Sequence, residues 1–149
     1  MSPHPQIVKF RELLALCGQM VGDDLSVENL RRAGRHGLGT GPTGPALPEV
    51  RDLHVAGPGG PIPVRLYRAV PRAAGALPTL VYLHGGGWVI GGIEDVDALC
   101  RELAAGIGCA VVNVGYRLAP EHPFPAATED AWAVLADVAA DPGRYGADP

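Results

Sequence analysis

Four apolar segments of the chain have the patterns that predict β-strands. The segment from Ile62 to Tyr67 alternates apolar and other positions, as a half-buried strand does. A second strand is predicted at residues 50–55, and the glycine- and proline-rich residues 57–61 between them predict an antiparallel hairpin. The segments from Leu80 to His84 and from Ala110 to Val114 are nearly unbroken apolar runs, which indicates strands that are buried on both faces.

Helical periodicity occurs on both sides of the hairpin. At the N-terminus, apolar residues at helical spacing predict a first helix, whose face is formed by Ile7, Phe10, Leu13, Leu14, Cys17 and Met20. A shorter second helix follows, with Ser26 as its N-cap. Glycine and proline are abundant in residues 34–48, which predicts a linker before the first strand.

A third helix is predicted between the two unbroken runs, from Glu94 to Gly106, and Gly106 is placed to end it. Its apolar face is formed by residues at i, i+3, i+4 and i+7, namely Val96, Leu99, Cys100 and Leu103. Strand, glycine loop, helix and strand in this order predict a βαβ unit with parallel strands. A last helix is predicted from Pro125 to about Ala140, ended by Asp141-Pro142. Its candidate core contacts are Trp132, Leu135 and Val138.

The run that begins at Leu80 leads into His84-Gly85-Gly86-Gly87-Trp88. Three glycines leave backbone N–H groups accessible, because no Cβ holds a ligand away from them. Such N–H groups can bind an oxygen that becomes negative during a reaction, which is the chemistry of an oxyanion hole. On this phrase alone, a tight strand-to-helix turn is the simpler interpretation.

A second phrase, YRLAPEHPFPAA from Tyr116 to Ala127, follows the other unbroken run. With both phrases at this spacing, the sequence resembles the N-terminal half of a hormone-sensitive-lipase-type esterase. These enzymes are the HGGG-bearing branch (bacterial family IV) of the α/β-hydrolase superfamily. The resemblance extends from about residue 50 to the C-terminus and more loosely to the first helix.

The resemblance implies an incomplete α/β-hydrolase fold of the α/β class. An N-terminal antiparallel hairpin would lead into parallel strands flanked by helices, with residues 1–45 as cap helices and linker and residues 46–149 as the N-terminal half of the core. It also implies that the N–H groups of Gly86 and Gly87 form the oxyanion hole, supported by His84, Gly85 and Trp88. No cofactor or metal is implied, and the substrate of the complete enzyme would be a small acyl ester.

Two departures from the family pattern stand beside this resemblance. Gly115 occupies the position before Tyr116-Arg117 where the family usually has Asp, and residues 91–97 keep only Asp97 of the usual polar pattern.

The catalytic triad is missing as well. Ser2 and Ser26 are the two serines, and neither lies in a G-x-S-x-G phrase. The 149 residues alone are therefore predicted to be inactive.

Other chemistries receive little support from the remaining residues. His4, His36, His54 and His122 are best interpreted as structural, and neither they nor Cys17, Cys100 and Cys109 have metal-ligand spacing. The phrase from Gly39 to Gly44 fits G-x-G-x-x-G, but its prolines and the lack of a preceding strand favour a connector. A formal net charge of -4 gives no reason to expect a nucleic-acid partner. The sequence has neither a membrane-span pattern nor a signal-peptide pattern, which indicates a soluble, cytoplasmic protein.

Three functions remain open at this point: an ester hydrolase, a non-catalytic binding module like the plant gibberellin receptors, and a truncated fragment without function. The resemblance also implies that the strand from Leu80 to His84 has one unpaired side, because the strand bearing the nucleophile would lie there. An open apolar edge predicts poor solubility or self-association through this strand.

Overall fold

The computed structural model describes residues 23–38 and 43–148, together with the isolated positions 8, 12, 15, 18 and 19. Side chains are not described for residues 36–38. The residues predicted to form the apolar face of the first helix, and most of the glycine-rich connector phrase, lie outside these residues. Within the described part of the chain, no helix is long and apolar enough to cross a membrane.

Helices and strands follow the predicted order. The helices are α1 (Val27–Leu38), α2 (Asp97–Ile107), α3 (Ala126–Ala140) and the short α4 (Pro142–Tyr145). The strands are β1 (Glu49–Gly57), β2 (Gly60–Arg68), β3 (Thr79–Leu83) and β4 (Ala110–Val114). Single turns of 3-10 helix occupy Arg72–Ala74 and Glu94–Val96. The predicted N-cap is confirmed, since the Ser26 hydroxyl accepts a hydrogen bond from the N–H of Asn29 at 3.4 Å.

The four strands form one mixed sheet in the order β1-β2-β4-β3. The predicted hairpin is confirmed, because β1 and β2 pair antiparallel and are joined by a tight turn between Gly57 and Gly60. The predicted βαβ unit is also confirmed, because β3 pairs parallel with β4 in a register that sets Leu80 opposite Val111. β2 and β4 pair antiparallel, which links the hairpin to the parallel part of the sheet.

β3 lies at the edge of the described sheet, as the resemblance implied. The chain returns to this edge after α4, where Ala147 forms an isolated parallel bridge with Leu77. The buried guanidinium of Arg68 holds the turn before this bridge by donating to the carbonyl oxygen of Gly146. The bridge pairs the segment just before β3, while the strand itself has β4 as its single neighbour in the described sheet.

The buried face of α3 differs from the predicted one. Trp132 is 70% exposed and Leu135 is 47% exposed, so these two predicted core contacts are wrong, whereas Val138 is buried. The helix instead buries Val134, Val138 and the carboxylate of Asp130. Asp130 faces inward because it pairs with Arg117, with Nη2 and Oδ1 2.8 Å apart, and this pair turns the larger apolar residues away from the core.

α2 also departs from its prediction in two places. Gly106 lies within the helix, which ends at Ile107, and Gly108 with φ 74° forms its left-handed C-cap. Glycine is favoured there because a Cβ is disfavoured at positive φ. Leu99 is 46% exposed, so the apolar face is narrower than predicted. It is formed by the buried Cys100 and Ala104, which pack with Tyr67 and Val111 of the sheet.

Candidate functional site

The glycine loop begins directly after β3 and turns sharply at Gly86. The carbonyl oxygen of Gly86 accepts hydrogen bonds from the N–H groups of Val89 and Ile90, at 3.1 and 3.0 Å. Gly86 has φ 127°, and a Cβ at this position would overlap the carbonyl group of Ile90. Gly87 follows with φ 61°, where a Cβ would meet open space. The sequence folds into this turn because its glycines reach backbone angles that other residues avoid.

The two backbone donors that are predicted to form the oxyanion hole lie in this turn. Among the described residues, no carbonyl or side chain accepts a hydrogen bond from the N–H of Gly86 or Gly87. Both residues line a cleft of about 410 Å³ between the glycine loop and the start of α3. Adjacent N–H groups that are free and border a cleft are suited to bind an oxygen atom with negative charge.

His84 is buried beneath the loop and held by Tyr116. The two rings stack with centroids 4.2 Å apart and an interplanar angle of 12°. The Tyr116 hydroxyl donates to the carbonyl oxygen of His84 at 2.5 Å. His84 Nδ1 lies 2.8 Å from the carbonyl oxygen of Gly85, and because a carbonyl only accepts, this ring nitrogen carries the proton. Burial raises the pKa of Tyr116, so its hydroxyl keeps its proton and remains a donor.

The YRLAPE segment packs against the glycine loop and connects β4 to α3. The N–H of Ala119 donates to the carbonyl oxygen of Trp88 at 2.8 Å, which joins the two phrases directly. Arg117 anchors the segment, since its guanidinium and its backbone N–H both bind the carboxylate of Asp130. His122 lies in the turn that follows, where its N–H donates to the carbonyl oxygen of Leu118 at 2.9 Å.

Gly115 stands at a crowded position. A Cβ there would lie 3.1 Å from Cγ of Pro63 and 3.2 Å from Cδ1 of Ile93. A side chain at this position would therefore press on these two residues. Asn113 binds the same loop, because its Nδ2 donates to the carbonyl oxygen of Ile93 at 3.1 Å. The end of the glycine loop is thus fixed to β4 even without the carboxylate.

A second apolar cleft lies on the other side of Trp88. It has a volume of about 480 Å³ and shares Gly87, Trp88, Ala127 and Thr128 with the first cleft. Phe124, which is 88% exposed, borders this second cleft. The free donors of the loop are therefore flanked by apolar surface on both sides, as a binding site for an apolar molecule with one polar group requires.

No described side chain suggests a nucleophile or a set of metal ligands. Cys100 and Cys109 are buried, and burial raises the pKa of the Cys100 thiol to about 12 and raises that of Cys109 as well. Buried thiols of this kind are poor nucleophiles. Among the described residues, no group of three or more His, Cys, Asp or Glu side chains could hold a metal ion.

The main contact that sequence reasoning missed comes from α1. Arg31 reaches the carbonyl oxygen of Val89 at the end of the glycine turn, and it also binds Ala119 and Glu121 of the YRLAPE segment. These partners lie up to 90 positions away in the sequence, so no local pattern connects them to α1.

Comparisons with known proteins agree with this geometry. Residues 80–149 match the sequence pattern of the alpha/beta hydrolase fold family. The esterase LipI of Mycobacterium tuberculosis is 46% identical over 128 residues, which cover 83% of this chain and 40% of LipI. The carboxylesterase NlhH of the same species is 48% identical over 88 residues, which cover 59% of this chain and 27% of NlhH. A hyperthermophilic esterase from the archaeon Pyrobaculum calidifontis superimposes with a TM-score of 0.82 at 37% identity, covering 99% of this chain and 47% of that one.

A mixed sheet with a glycine loop after a parallel strand, matched by these relatives, defines the chain as an α/β hydrolase by fold. Within that superfamily, it is similar to the N-terminal part of the HGGG-bearing, hormone-sensitive-lipase-type esterases. The chain spans about half the length of the solved esterase structure and less than half of LipI.

Proposed function

We propose that this chain supplies the oxyanion hole of a carboxylic ester hydrolase. The observation that carries this proposal is the pair of N–H groups of Gly86 and Gly87, which lack a protein acceptor among the described residues and border an apolar cleft. In ester hydrolysis, a serine hydroxyl attacks the carbonyl carbon, and the carbonyl oxygen takes up the electron pair of the C=O π bond. The two N–H groups would donate to that oxygen as it becomes negative.

The nucleophile, the base and the acid of the reaction are not part of this proposal for residues 1–149. These residues contain no G-x-S-x-G phrase, and Ser26 caps α1 far along the chain from the glycine loop. The proposed contribution is therefore the stabilisation of charge, together with part of the acyl-binding surface. A residue pair that stabilises an oxyanion accelerates nothing unless a nucleophile creates that oxyanion.

The substrate that we propose is a small acyl ester. The clefts beside Gly87 and Trp88 are largely apolar and have volumes of about 410 and 480 Å³. Among the relatives, the ethyl acetate hydrolase of Pseudomonas putida is 51% identical over 76 residues, and its name states a short ester as substrate. Both observations favour a short acyl chain.

The division of the chain is part of the proposal. Residues 1–45 would form cap helices and a linker, and residues 46–149 half of the hydrolase core. α1 supports this division because its Arg31 contacts the glycine loop rather than the sheet. A helix in that place would help to exclude water from the cleft.

The experiment joins residues 1–149 to the segment of LipI that follows its match to this chain, and measures hydrolysis of p-nitrophenyl acetate. Gly86→Ala is expected to lower kcat by about 10²-fold or more, because its Cβ would overlap the carbonyl group of Ile90 and displace both donors. Gly87→Ala is the matched control. Its Cβ meets open space, so it is expected to lose less than about tenfold in kcat from its positive φ alone. Parental kcat in Gly86→Ala would contradict the assignment of the hole.

Residues 1–149 without that addition are expected to hydrolyse no ester and to react with no serine-directed fluorophosphonate. Labelling is read by intact-protein mass spectrometry, with the active chimera as the positive control. A stoichiometric adduct at Ser2 or Ser26 would overturn the proposal that the nucleophile lies elsewhere.

We further propose that the edge of β3 is a surface for self-association. β3 has one neighbouring strand in the described sheet, and Leu80 on it is 38% exposed. A second copy pairing at this edge would satisfy the open backbone groups and cover this apolar side chain. Leu80→Asp is expected to shift an oligomer toward monomer in light scattering, whereas Leu99→Asp, at an exposed leucine of α2, is not. A monodisperse monomer with slow hydrogen exchange along β3 would refute this surface.

A further inference from the structure

Arg31 on α1 binds two segments of the chain that are distant from it in sequence. Its Nε donates to the carbonyl oxygen of Val89 at 2.9 Å, and its Nη2 donates to the carbonyl oxygen of Ala119 at 3.1 Å. The carboxylate of Glu121 accepts from Nη1 at 2.7 Å and from Nη2 at 2.8 Å. One guanidinium thus joins α1, the end of the glycine turn and the YRLAPE segment.

The segment that Arg31 holds is the one that fixes Gly86 and Gly87. The N–H of Val89 donates to the carbonyl oxygen of Gly86, so the residue whose carbonyl binds Arg31 also closes the turn. On the other side, the carbonyl oxygen of Trp88 accepts from the N–H of Ala119. Arg31 binds both Val89 and Ala119, so it links the two chain segments that enclose the turn.

Trp88 makes an external support necessary. Its φ is 61°, the left-handed region that residues with a Cβ rarely adopt, and this strain persists only where the surroundings impose it. Its indole is 67% exposed, so packing of its own side chain supplies little of that support. The hydrogen bonds from Ala119 to Trp88 and from Arg31 to Val89 act directly on the backbone at and after the strained residue.

An arginine suits this task better than a lysine. The guanidinium is planar, and its donors are fixed in a fork that reaches several acceptors at once. Here the fork spans two carbonyl oxygens and one carboxylate. Glu121 lies on the exposed side, where an ion pair alone contributes little. The hydrogen bonds to the two carbonyl oxygens, which are partly buried, therefore do most to fix the position of the backbone.

We propose that Arg31 is a positioning residue that holds the turn from Gly86 to Val89, and with it the two N–H donors, in the conformation of the structure. The proposal rests on the proposed function for the role of those donors in an oxyanion hole. The claim about the turn itself stands on the contacts of Arg31 and is tested separately.

The first experiment measures amide hydrogen exchange in the full 149-residue chain. Arg31→Ala is expected to accelerate exchange of the N–H groups of Val89, Ile90 and Ala119 by about tenfold or more, because charge-assisted hydrogen bonds are lost. Arg32→Ala removes the same charge from an exposed position of the same helix and is expected to leave these amides unchanged. Amides of β2 and β4 serve as the internal reference and are expected to stay protected in both variants.

Arg31→Lys distinguishes geometry from charge, because it keeps the charge but not the fork. Most of the acceleration is expected to remain in this variant. Three outcomes would each overturn the proposal. They are full protection in Arg31→Lys, equal exchange in Arg31→Ala and Arg32→Ala, and an acceleration that extends equally over β2 and β4.

The second experiment places the same variants in the chimera with LipI. Arg31→Ala is expected to lower kcat by about tenfold with KM within about twofold of the parent, since donors to the developing oxyanion act mainly in the transition state. A rise in KM at constant kcat would overturn the link between Arg31 and the donors. A chimera that is inactive in every form would contradict the proposed function, and the exchange experiment then decides on Arg31 alone.

Discussion

β3 and β4 lie side by side and have similar apolar sequences, yet they occupy different environments. All five residues of β4 are buried, whereas no residue of β3 is fully buried and Leu80 and Leu83 are exposed. β4 lies between β2 and β3, with α2 against one face and α3 on the other side. β3 has a neighbour on one side in the described sheet. Burial of a strand is thus decided by its place in the sheet, which its own hydrophobicity does not encode.

The largest expected effect comes from placing the same charge in both strands. Val111 and Leu80 are opposite each other in register, and their exposed fractions are 0% and 38%. Val111→Asp buries an unpaired carboxylate and is expected to cost several kcal/mol, a large part of the roughly 5–15 kcal/mol that stabilises a domain. At protein concentrations at which the chain is monomeric, Leu80→Asp leaves its carboxylate near water and is expected to cost about 1 kcal/mol.

Urea denaturation followed by circular dichroism measures this difference. Similar unfolding free energies for the two variants would mean that β3 is as well covered as β4 in solution, for example by a second copy of the chain. Repeating the measurement at several protein concentrations separates that case from a monomer, since only an oligomer gains stability with concentration.

The sequence was sufficient for the elements that depend on local patterns. The hairpin follows from alternation around a glycine-rich turn, and the parallel pair follows from two apolar runs separated by a helix. The buried face of α3 was not predictable in this way. Its orientation depends on the pair between Arg117 and Asp130, and the inward position of a carboxylate contradicts any rule that buries the largest apolar residues.

A smaller effect is expected at two glycines near β4, one directly after the strand and one in the preceding helix α2. Gly115→Ala is expected to destabilise the fold by about 1 kcal/mol, because its Cβ would press on Pro63 and Ile93. Gly106→Ala is the matched control. Gly106 lies inside α2 with open space around a Cβ, so alanine is expected to stabilise the fold by about 0.5–1 kcal/mol. Thermal unfolding of both variants tests the pair, and a stabilising Gly115→Ala would show that the end of β4 is less tightly packed than the structure indicates.

The sequence motif of the candidate site could be predicted, whereas the contacts that hold the glycine turn could not. Gly86 and Gly87 were predicted because the glycine phrase and the YRLAPE phrase occur together at a spacing typical of the esterases, whereas the glycines alone favour a simple turn. Arg31 was not, because one arginine in a charged helix has no local signal, and its partner Glu121 is 90 positions away. Contacts between segments so distant become visible only when the chain is folded.

The smallest effect concerns pH. The guanidinium of Arg31, with a smaller contribution from a backbone hydrogen bond to the carboxylate, lowers the pKa of Glu121 from 4.5 to about 2. A carboxylate whose pKa is lower in the folded state stabilises the fold above its unfolded pKa, and this contribution is lost as pH falls. The difference in urea midpoint between the parent and Glu121→Gln is therefore expected to be constant above pH 4.5 and to shrink as the pH falls toward 2. A difference that does not change over this interval would show that Glu121 is not paired with Arg31 in solution.

The hydrogen bond from Arg68 to Gly146 has a consequence for the order of folding. It joins residues that are 78 positions apart, so a long loop of chain must close before the bond can form. The β1–β2 hairpin and the unit from β3 to β4 need far shorter closures and are expected to assemble earlier. Until Arg68 binds the last turn and Ala147 pairs with Leu77, the segment before β3 is open to other chains in addition to the free edge of the strand. The interval between these two events is when the nascent sheet is most exposed to aggregation.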